Sequence, residues 1–557
     1  MFGLKRKSYK GSFSHKTRKV NLERMEKEEF DLAVIGGGIT GAAIARDAAL
    51  RGMKVALIEK GDFASGTSSK SSKMIHGGLR YLKQLDISLV KESLSEREKL
   101  LELAPHLVHP IPYLIPIYSG WRGRLELHIG LFGYDILSGD TSLGRHRNLS
   151  AEEVLHEETL LRKENLAGGF IYCDCLVNDA RLTLTVLKSA HEHGAVLANY
   201  TQALGLDINA SALNEVRFRE LIQGKPGVVR TRVLVVALGP WTSEFFRNQS
   251  YPGPALRPTK GIHLVFPRSR LPVSKVVVVP TADKRMVFVV PLGEFSYVGT
   301  TDTDYRGSLD TILVEREDVE YLLDALNHCF PSLNLGVADI VSSWAGLRPL
   351  IMEEGDPSKI SREHYISFYD QGLAVIIGGK LTTHRTMAKS LIDQLLERYD
   401  HLLEGDFKPC TTDEIPLPGG EMRYFPPYFK AQFLGLQQRW GLSFASIEHL
   451  IGTYGRNHME VLALGLQDRT LLEPLRQGCP VIKAQALYAV EDEMALTLED
   501  FMSRRVDLLH FNQQPGLDRV AAKTMGKALG WSRARRRAEI KRYRQTVKEM
   551  FHFKSNK

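Results

Sequence analysis

Residues 30–59 form a stretch in which an apolar run, a glycine-rich turn, a helical segment and a second apolar run follow one another. The stretch reads FDLAVIGGGITGAAIARDAALRGMKVALIE. Residues 30–35 and 54–58 are short apolar runs typical of buried strands, and residues 40–51 are rich in small residues at helical spacing. The pattern predicts a strand, a turn, a helix and a second strand, in that order.

The same two periodicities continue along the chain. Apolar residues recur at helical spacing over residues 85–103, 121–137, 179–193 and about 381–398. Short apolar runs cover residues 107–118, 195–200, 228–237 and 373–377. Four further runs between residues 257 and 350 are separated by turn residues, which predicts an antiparallel sheet. From about residue 413 the chain is leucine-rich and helical.

The apolar stripe over residues 121–137 allows two interpretations. Leu125, Ile129, Phe132 and Leu137 recur at helical spacing among basic residues. We expect such a stripe to pack in the core. The alternative is that the helix lies in a lipid interface.

Three glycines in the first turn, Gly36, Gly38 and Gly41, form the pattern G-x-G-x-x-G. After a strand and before a helix, such glycines allow a tight turn, close approach of the backbone to a pyrophosphate and close helix packing. The N-terminus of the helix favours the same phosphates. Glu59 ends the second strand about 20 residues further on, where a carboxylate can bind a ribose hydroxyl. An acid at this position favours FAD or NAD over NADP.

Further candidate contacts to the cofactor follow several predicted strands. A serine- and threonine-rich loop comes after Glu59, the strand over 228–237 stops near a glycine, and a second glycine turn follows the strand over 373–377. The candidate cofactor-binding residues are Gly36, Gly38, Ile39, Thr40, Gly41, Glu59, Lys60, Thr67, Ser68, Ser71, Ser72, His76, Gly77, Gly78, Ala203, Gly239, Gly379, Lys380, Leu381 and Thr382. Arg80 and Tyr81 come next in the sequence, and we expect them to lie close to the molecule that the cofactor faces.

Composition and charge narrow the class of protein. The 557 residues are too many for one core and predict roughly three domains. No apolar run reaches the ~18 residues that cross a bilayer. The five cysteines include no C-x-x-C pair, which argues against a metal site and fits a reducing compartment.

The net charge of +8 is concentrated at the two ends of the chain. Residues 1–27 carry +7 and residues 531–557 carry +8, so the residues between them carry −7. An acidic body argues against a nucleic-acid groove, and basic ends suit flexible tails or attraction to anionic lipid. We expect residues 1–29 to be a flexible basic extension.

Longer motifs distributed over residues 30–545 point to one family. They include GGGITG, SSKMIHGGLRYL, GLRPL, GGKLTTHR and VEDEMALTLEDFMSRR. Together they resemble the FAD-dependent glycerol-3-phosphate dehydrogenases. With the patterns above, we expect an α/β plus α fold. A Rossmann-like FAD-binding domain (30–256 and 351–412) would carry an inserted antiparallel-sheet substrate domain (257–350), and a helical domain (413–557) would follow.

The resemblance implies a flavoenzyme that oxidises sn-glycerol 3-phosphate to dihydroxyacetone phosphate and passes electrons to a quinone. It also implies a cytoplasmic protein held peripherally at the inner face of the cell membrane, with a homodimer as the family expectation. The predicted substrate contacts are Arg80, Tyr81, His76, Arg348 and Lys380. Guanidinium and ammonium groups suit a phosphate ester that is nearly dianionic at neutral pH.

The predicted catalytic residues are His263, Arg348 and Lys380. A base that works near pH 7 is most often histidine, and His263 is the first choice, with His76 second. Lys380 or Arg348 would also stabilise a developing alkoxide.

Three other functions stay open on the sequence alone. One is a glycerol-3-phosphate oxidase that uses oxygen, since the same motifs serve both acceptors. Another is an amine oxidase of the D-amino-acid-oxidase-like group, whose substrates need one cation rather than three. The third is a flavin-containing sensor or nucleic-acid-binding protein, which the acidic body disfavours.

Overall fold

The computed structural model describes residues 11–78, 86–118, 121–138, 143–209, 213–249, 253–351, 364–512 and 514–555, with the backbone alone for residues 121–124 and 126. The described strands are β1 (Glu29–Ile35), β2 (Val55–Ile58), β3 (Met74–Ile75), β4 (Val108–Ile117), β5 (Arg147–Leu149), β6 (Gly168–Val177), β7 (Val196–Ala198), β8 (Thr201–Asp207), β9 (Asn214–Glu220), β10 (Pro226–Val236), β11 (Leu256–Pro267), β12 (Val276–Pro280), β13 (Met286–Leu292), β14 (Phe295–Gly299), β15 (Thr303–Asp304), β16 (Ser342–Ile351), β17 (His364–Tyr369) and β18 (Leu373–Gly378). The described helices are α1 (His15–Lys27), α2 (Ile39–Leu50), α3 (Ile87–Leu103), α4 (Trp121–Ser138), α5 (Ala151–Glu157), α6 (Asp179–Glu192), α7 (Thr242–Arg247), α8 (Arg316–Cys329), α9 (His384–Arg398), α10 (Phe425–Trp440), α11 (Phe444–Tyr454), α12 (His458–Ala463), α13 (Lys483–Asp492), α14 (Leu508–Phe511), α15 (Leu517–Ala528) and α16 (Arg533–Glu549), and Asp500–Arg505 form a π-helix.

The first sheet contains the predicted strand, turn, helix and strand. Its described strands lie in the order β17-β18-β10-β1-β2-β7, with β9 beside β10 and β8 beside β9. β18, β10, β1, β2 and β7 are parallel to their neighbours in this group. The carboxyl ends of these strands therefore meet at one edge, which is where ligands bind in such sheets.

Helices α2, α6 and α9 cover one face of this sheet. α2 packs against both α6 and α9. Its residues Ala42, Ala45 and Ala48 are fully buried. Small side chains at these positions let the three helices approach one another closely. The core between helices and sheet holds the carboxyl edge of β1 and β2 in a fixed position.

The second sheet is larger than the predicted inserted domain. Its described strands lie in the order β15-β11-β14-β13-β12-β4-β6-β3, with β16 beside β11 and β5 beside β6. β3 to β6 come from residues 74–177, outside the predicted range of 257–350. β4 joins β12 in parallel, with Tyr113 and Leu114 opposite Val276 and Val277. Hydrophobic periodicity is a local signal, so it cannot show that two such distant segments pair.

Residues 15–27 differ from the flexible extension that their charge predicted. They form α1, whose N-cap Ser14 accepts a hydrogen bond from the N–H of Thr17. Arg18, Asn21 and Met25 are buried, and α1 contacts β7 and β10. The polar members of this buried set have hydrogen-bond partners in the first sheet, which is why a charged segment can pack there.

The C-terminal region is helical, as predicted. α10 to α16 enclose two apolar clusters, one around Leu450 and one around Phe501. The π-helix of this region contacts α6 of the first domain. The helical region therefore packs directly against the nucleotide-binding part of the chain.

α4 differs from the expected core helix. Leu131 and Tyr134 are buried on its inner side. Its exposed apolar residues, with their exposed fractions, are Leu125 (49%), Ile129 (62%), Phe132 (57%) and Ile136 (63%). In the described part of the chain, no helix has the length and hydropathy of a membrane span.

Candidate active site

The turn after β1 has a geometry that requires glycine. Gly36 has a φ of +119°, and a Cβ atom there would collide with the carbonyl oxygen of Ala237. A Cβ atom at Gly41 would collide with the carbonyl oxygen of Gly36. The end of β10 and the first turn of α2 thus lie closer to this turn than a side chain would permit.

The first turn of α2 lies on a cavity. Gly38 is the N-cap residue and makes no side-chain capping bond. The N–H of Ile39 donates to Oγ of Ser68 over 2.9 Å. Gly38, Ile39 and Thr40 all line the cavity. The positive end of the helix dipole favours a phosphate at this point.

Glu59 follows β2 and also lines the cavity. Its Oε2 atom accepts a hydrogen bond from the N–H of Gly37 and its Oε1 atom one from the N–H of Gly61, each over 2.7 Å. Burial raises the pKa of the Glu59 carboxyl, and these two bonds oppose that rise. Each carboxylate oxygen can accept a further bond, so the group fits a ribose hydroxyl.

The cavity runs along the carboxyl edge of the first sheet. Its volume of about 630 Å³ lies within the roughly 300–1,000 Å³ of small-molecule sites. Glu59 follows β2, Gly36 follows β1, Gly239 follows β10 and Lys380 follows β18, and all four line it. Across the sheet, the candidate ribose acceptor Glu59, the phosphate site at Gly36 and the cation Lys380 therefore follow one another in the order of their strands.

Most of the predicted cofactor contacts lie on this cavity. Those that line it are Gly36, Gly38, Ile39, Thr40, Glu59, Lys60, Thr67, Ser68, Ser71, Gly239, Gly379, Lys380 and Leu381. The others are not among its lining residues: Gly41, Ser72, His76, Gly77, Gly78, Ala203 and Thr382. Gly41 instead packs against the glycine turn.

The loop that contains His76 is tied to its neighbours by backbone hydrogen bonds. The N–H of His76 donates to Oγ1 of Thr382 over 3.3 Å. The N–H of Gly77 donates to the hydroxyl of Tyr134 on α4 over 3.0 Å. The loop thus lies between the second glycine turn and the inner side of α4. Ala203 is not part of this loop and packs on the face of the first sheet away from α2.

Lys380 brings a cation to the cavity. It follows a turn in which Gly378 and Gly379 both have positive φ, at +75° and +79°. Its Nζ atom lies 3.3 Å from Oγ of Ser93. The glycine turn after β18 therefore places Lys380 on the cavity, on the other side of β1 from Glu59.

Arg348 lies on β16 of the second sheet and is not among the residues that line the cavity. Its Nη1 atom pairs with Asp302 over 3.0 Å, and its Nη2 atom donates to Oγ1 of Thr300 over 3.0 Å. Arg80 and Tyr81 lie outside the described residues. Of the three predicted cations, Lys380 is thus the one that the described residues place on the cavity.

His263 lies on β11, directly opposite Trp344 on β16. The two rings stack with centroids 4.6 Å apart, and Trp344 lines the cavity whereas His263 does not. Its Nε2 atom is 2.9 Å from Oγ of Ser72, and its buried Nδ1 atom has no partner among the described residues. Burial, together with the charge of Arg348, holds the pKa of His263 well below its usual range. The imidazole is therefore neutral at pH 7, and its lowered pKa makes it a weaker proton acceptor than a free histidine.

Comparisons with known proteins agree with this geometry. Residues 31–385 match the family described as FAD dependent oxidoreductase, and residues 410–536 match the C-terminal domain of alpha-glycerophosphate oxidase. The aerobic glycerol-3-phosphate dehydrogenase of Bacillus subtilis is 41% identical over 510 residues, which are 90% of this chain and 91% of that protein. The one from Staphylococcus aureus is 38% identical over 545 residues, 95% and 96% of the two chains. The chain belongs to the FAD-dependent glycerol-3-phosphate dehydrogenases.

A solved structure supports this membership. The glycerol-3-phosphate dehydrogenase from Bacillus halodurans, complexed with FAD, aligns with a TM-score of 0.82 and 32% identity and covers 97% of this chain and 99% of that one. Glycine oxidase from Geobacillus kaustophilus covers 69% of the chain with 22% identity and a TM-score of 0.50, which shows a shared fold alone. The predicted family, fold class, enzyme class and FAD cofactor are confirmed. The roles of individual residues stay predictions.

The dehydrogenase fits FAD on its own residues. The glycine turn leaves no room for a Cβ atom, the positive end of the α2 dipole lies on the cavity, and Glu59 keeps acceptor capacity for a ribose hydroxyl. These features lie in order along one edge and on one cavity. They match the needs of a dinucleotide with an unphosphorylated ribose.

The C-terminal region of the dehydrogenase also lines the cavity, although no motif in it predicted this. Its contributions are Thr497, Glu499, Ser503, Arg504, Leu509, His510, Arg542, Thr546, Glu549 and Met550. Several belong to the motif VEDEMALTLEDFMSRR or follow it closely, and that motif carried the family resemblance but no site role. Polar side chains on helices are usually solvated, so their spacing gave no signal of a shared cavity.

Asp62 ties this region to the turn after β2. Arg504 donates from Nε to Oδ2 of Asp62 over 2.7 Å, and Arg505 donates to both carboxylate oxygens over 2.6 and 2.9 Å. Burial by itself would raise the pKa of Asp62. The charges of Arg505 and Arg504 outweigh it and lower the pKa to about 2. Asp62 is thus ionised at neutral pH and joins the turn after β2 to the π-helix.

Proposed function

We propose that this chain oxidises sn-glycerol 3-phosphate to dihydroxyacetone phosphate and passes the electrons to a quinone. Family membership supports the substrate, because relatives from Bacillus subtilis and Staphylococcus aureus are named for it. The observation that carries the proposal is the position of Lys380 on the cavity, at the end of β18. An ammonium group at this point suits a phosphorylated alcohol, since lysine binds phosphate as a point charge.

The chain supplies orientation, charge and a base. FAD, when bound, supplies the redox chemistry by accepting electrons from the carbon that is oxidised. Lys380 would hold the substrate phosphate or stabilise negative charge on its oxygen, with Arg348 in the same role from the second sheet. Arg80, Tyr81 and His76 are proposed as further substrate contacts on the family resemblance.

His263 is the proposed base for the proton of the C2 hydroxyl. The stacking of its ring on Trp344, a residue that lines the cavity, supports this role, whereas the lowered pKa of His263 opposes it; His76 is the second candidate. We expect His263→Asn to keep FAD bound and to lower turnover by at least about tenfold, the low end of a general-base effect. His401→Asn, at an exposed histidine, is the control. Normal turnover in His263→Asn would remove His263 from the role.

Lys380→Met tests the proposed substrate class. We expect the KM for glycerol 3-phosphate to rise at least about tenfold, which corresponds to about 1.4 kcal/mol of binding. Lys389→Met, at a half-exposed residue of α9, should leave KM unchanged. A KM unaffected by Lys380→Met, or turnover of amino acids in place of glycerol 3-phosphate, would contradict the proposal.

Oxygen is the alternative electron acceptor. The match of residues 410–536 to a domain named for alpha-glycerophosphate oxidase supports oxygen as the alternative acceptor. Rates with a soluble quinone and with dissolved oxygen, measured at equal substrate saturation, separate the two. We expect the quinone rate to be much the larger.

We further propose that the protein lies peripherally on the inner face of the cell membrane. The exposed apolar residues of α4 fall at intervals of three and four, on one side of the helix. Basic residues at its start and at both ends of the chain favour anionic lipid. Cosedimentation with anionic vesicles, lost in high salt, is the expected result. Equal recovery with and without vesicles would contradict it.

A further inference from the structure

Residues 12–27, which precede β1, pack against the glycine turn after β1 through two aromatic rings. Phe13 is 2% exposed and stacks on Phe63, with ring centroids 5.6 Å apart and ring planes inclined by 23°. Phe63 lies against Gly37, where a Cβ atom would be 2.8 Å from Cδ1 of the phenylalanine. Gly37 lies between Gly36 and Gly38 in the turn after β1. Two rings therefore connect residue 13 to the turn beside the FAD cavity.

α1 also holds the end of β7 by hydrogen bonds. Asn21 donates from Nδ2 to the carbonyl oxygen of Leu197 over 2.9 Å. Arg18 donates from Nε to the backbone and side-chain oxygens of Asn199 over 2.9 and 3.1 Å. Its Nη2 atom donates to the carbonyl oxygen of Tyr200 over 3.3 Å. Arg18 and Asn21 are buried, so the loss of these bonds would leave unsatisfied groups in the interior.

The residues that α1 holds are bonded in turn to residues 59–63. Asn199 donates from Nδ2 to Oδ1 of Asp62 over 3.0 Å. The N–H of Tyr200 donates to the carbonyl oxygen of Gly61 over 2.8 Å. Gly61 and Asp62 line the cavity together with Glu59. The ring contacts reach residues 59–63 through Phe63, and the hydrogen bonds reach the same residues through Gly61 and Asp62.

We propose that residues 12–27 are a positioning element for the FAD site. By fixing residues 59–63 and Gly37, the segment sets the position of the Glu59 carboxylate and of the first turn of α2. These two groups line the cavity, where they would hold the ribose and phosphate parts of the cofactor. No described residue of the segment lines the cavity, so its effect on FAD is indirect. The proposal rests on the FAD cofactor of the family and is independent of the substrate.

A purely structural role of the segment predicts a different result. In that case variants would lower the melting temperature, but the protein that stays folded would bind FAD normally. A positioning role predicts weaker FAD binding at a temperature where the variant is fully folded. The dissociation constant of FAD from the folded apoprotein is therefore the deciding quantity.

Phe13→Ala tests the ring contacts in the full chain. We expect FAD to bind at least about tenfold more weakly. Phe13→Leu keeps most of the apolar volume and should recover most of the affinity. Flavin fluorescence measures the dissociation constant, and circular dichroism at the same temperature verifies the fold.

Two variants serve as matched controls. Val20→Ala changes a residue that is 54% exposed on α1 and should leave FAD binding unchanged. Leu450→Ala changes a fully buried residue of the C-terminal clusters that does not line the cavity. It should lower the melting temperature as Phe13→Ala does, yet leave FAD affinity within about twofold of wild type.

A double variant tests the hydrogen bonds. Arg18→Met with Glu220→Gln removes the guanidinium group without leaving an unpaired buried carboxylate, since the two pair over 2.8 Å. The double variant should also weaken FAD binding. If Phe13→Ala does not fold, the double variant is the test of whether the segment positions the FAD site. Unchanged FAD affinity in the double variant and in Phe13→Ala where it folds, or an equal loss in Leu450→Ala, would overturn the proposal.

Discussion

α1 and α4 show opposite relations between sequence and burial. α1 reads HKTRKVNLERMEK and is mostly charged, yet its Arg18 and Asn21 are buried against the first sheet. α4 reads WRGRLELHIGLFGYDILS and is largely apolar, yet Ile129 and Phe132 are more than half exposed. The average hydropathy of a helix therefore does not decide which of its faces finds a partner in this protein.

The reason differs between the two helices. In α1, buried polar groups meet acceptors on β7 and β9, and a satisfied polar group costs little to bury. In α4, the inner side already has its contacts, through Leu131 and the hydroxyl of Tyr134. Among the described residues the outer apolar side stays exposed, and a membrane surface is our proposal for its partner.

The largest effect is expected from breaking the buried ion pair of α1. Arg18→Met leaves the Glu220 carboxylate, 6% exposed, without its charged partner and with only the backbone N–H groups of Ile222 and Gln223 as donors among the described residues. The free energy of unfolding should fall by about 3–5 kcal/mol. Lys19→Met changes the next, exposed residue and should alter it by less than about 0.5 kcal/mol. Denaturant unfolding measures both values, and similar small changes would show that α1 is not packed as described.

A smaller loss is expected on the inner side of α4. Tyr134→Phe removes a hydroxyl that donates to Asp174 over 2.8 Å and accepts from the N–H of Gly77. Unfolding free energy should fall by about 1–3 kcal/mol, the usual cost of leaving buried polar groups unsatisfied. The same unfolding measurement applies. A neutral result would mean that the inner side of α4 contributes little to the fold.

The outer side of α4 should affect membrane binding without affecting stability. Ile129→Glu should weaken binding to anionic vesicles about tenfold, because the transfer of one large apolar side chain is lost. Leu434→Glu, at an equally exposed residue of α10, should leave binding unchanged. Flotation assays compare the two variants. Equal losses would point to a general charge effect instead of α4.

The smallest effect is expected from pH at α1. Burial lowers the pKa of His15, so between that lowered pKa and about 6.5 the unfolded chain binds a proton that the folded protein does not. The contribution of His15 to stability is therefore complete above pH of about 6.5 and declines as the pH falls below it. His15→Gln should reduce the slope of stability against pH in this range. An unchanged slope would exclude His15 as a contributor.

Local signals predicted the nucleotide-binding part of the molecule well. Gly36 and Gly41 lie where backbone atoms leave no room for a side chain, and Glu59 ends the second strand. All the information for this unit lies within residues 30–59, so pattern and spacing are sufficient. The confirmed fold class and cofactor rest on this stretch and on the longer family motifs.

Contacts between distant segments were beyond such signals. The pairing of β4 with β12, the C-terminal residues on the cavity and the bonds of Asp62 to Arg504 and Arg505 all join parts that are far apart in sequence. Arg18 illustrates the same limit, because its burial depends on Asn199 and not on its neighbours in α1. A charged residue that pairs across the fold looks like a solvated one in the sequence.

Anaerobic titration of the purified protein with glycerol 3-phosphate tests the central claim most directly. We predict a yellow protein whose flavin absorption bands bleach on addition of the substrate under nitrogen and return when a quinone is added. A folded protein without flavin absorption, or flavin bands that glycerol 3-phosphate leaves unchanged, would contradict the account.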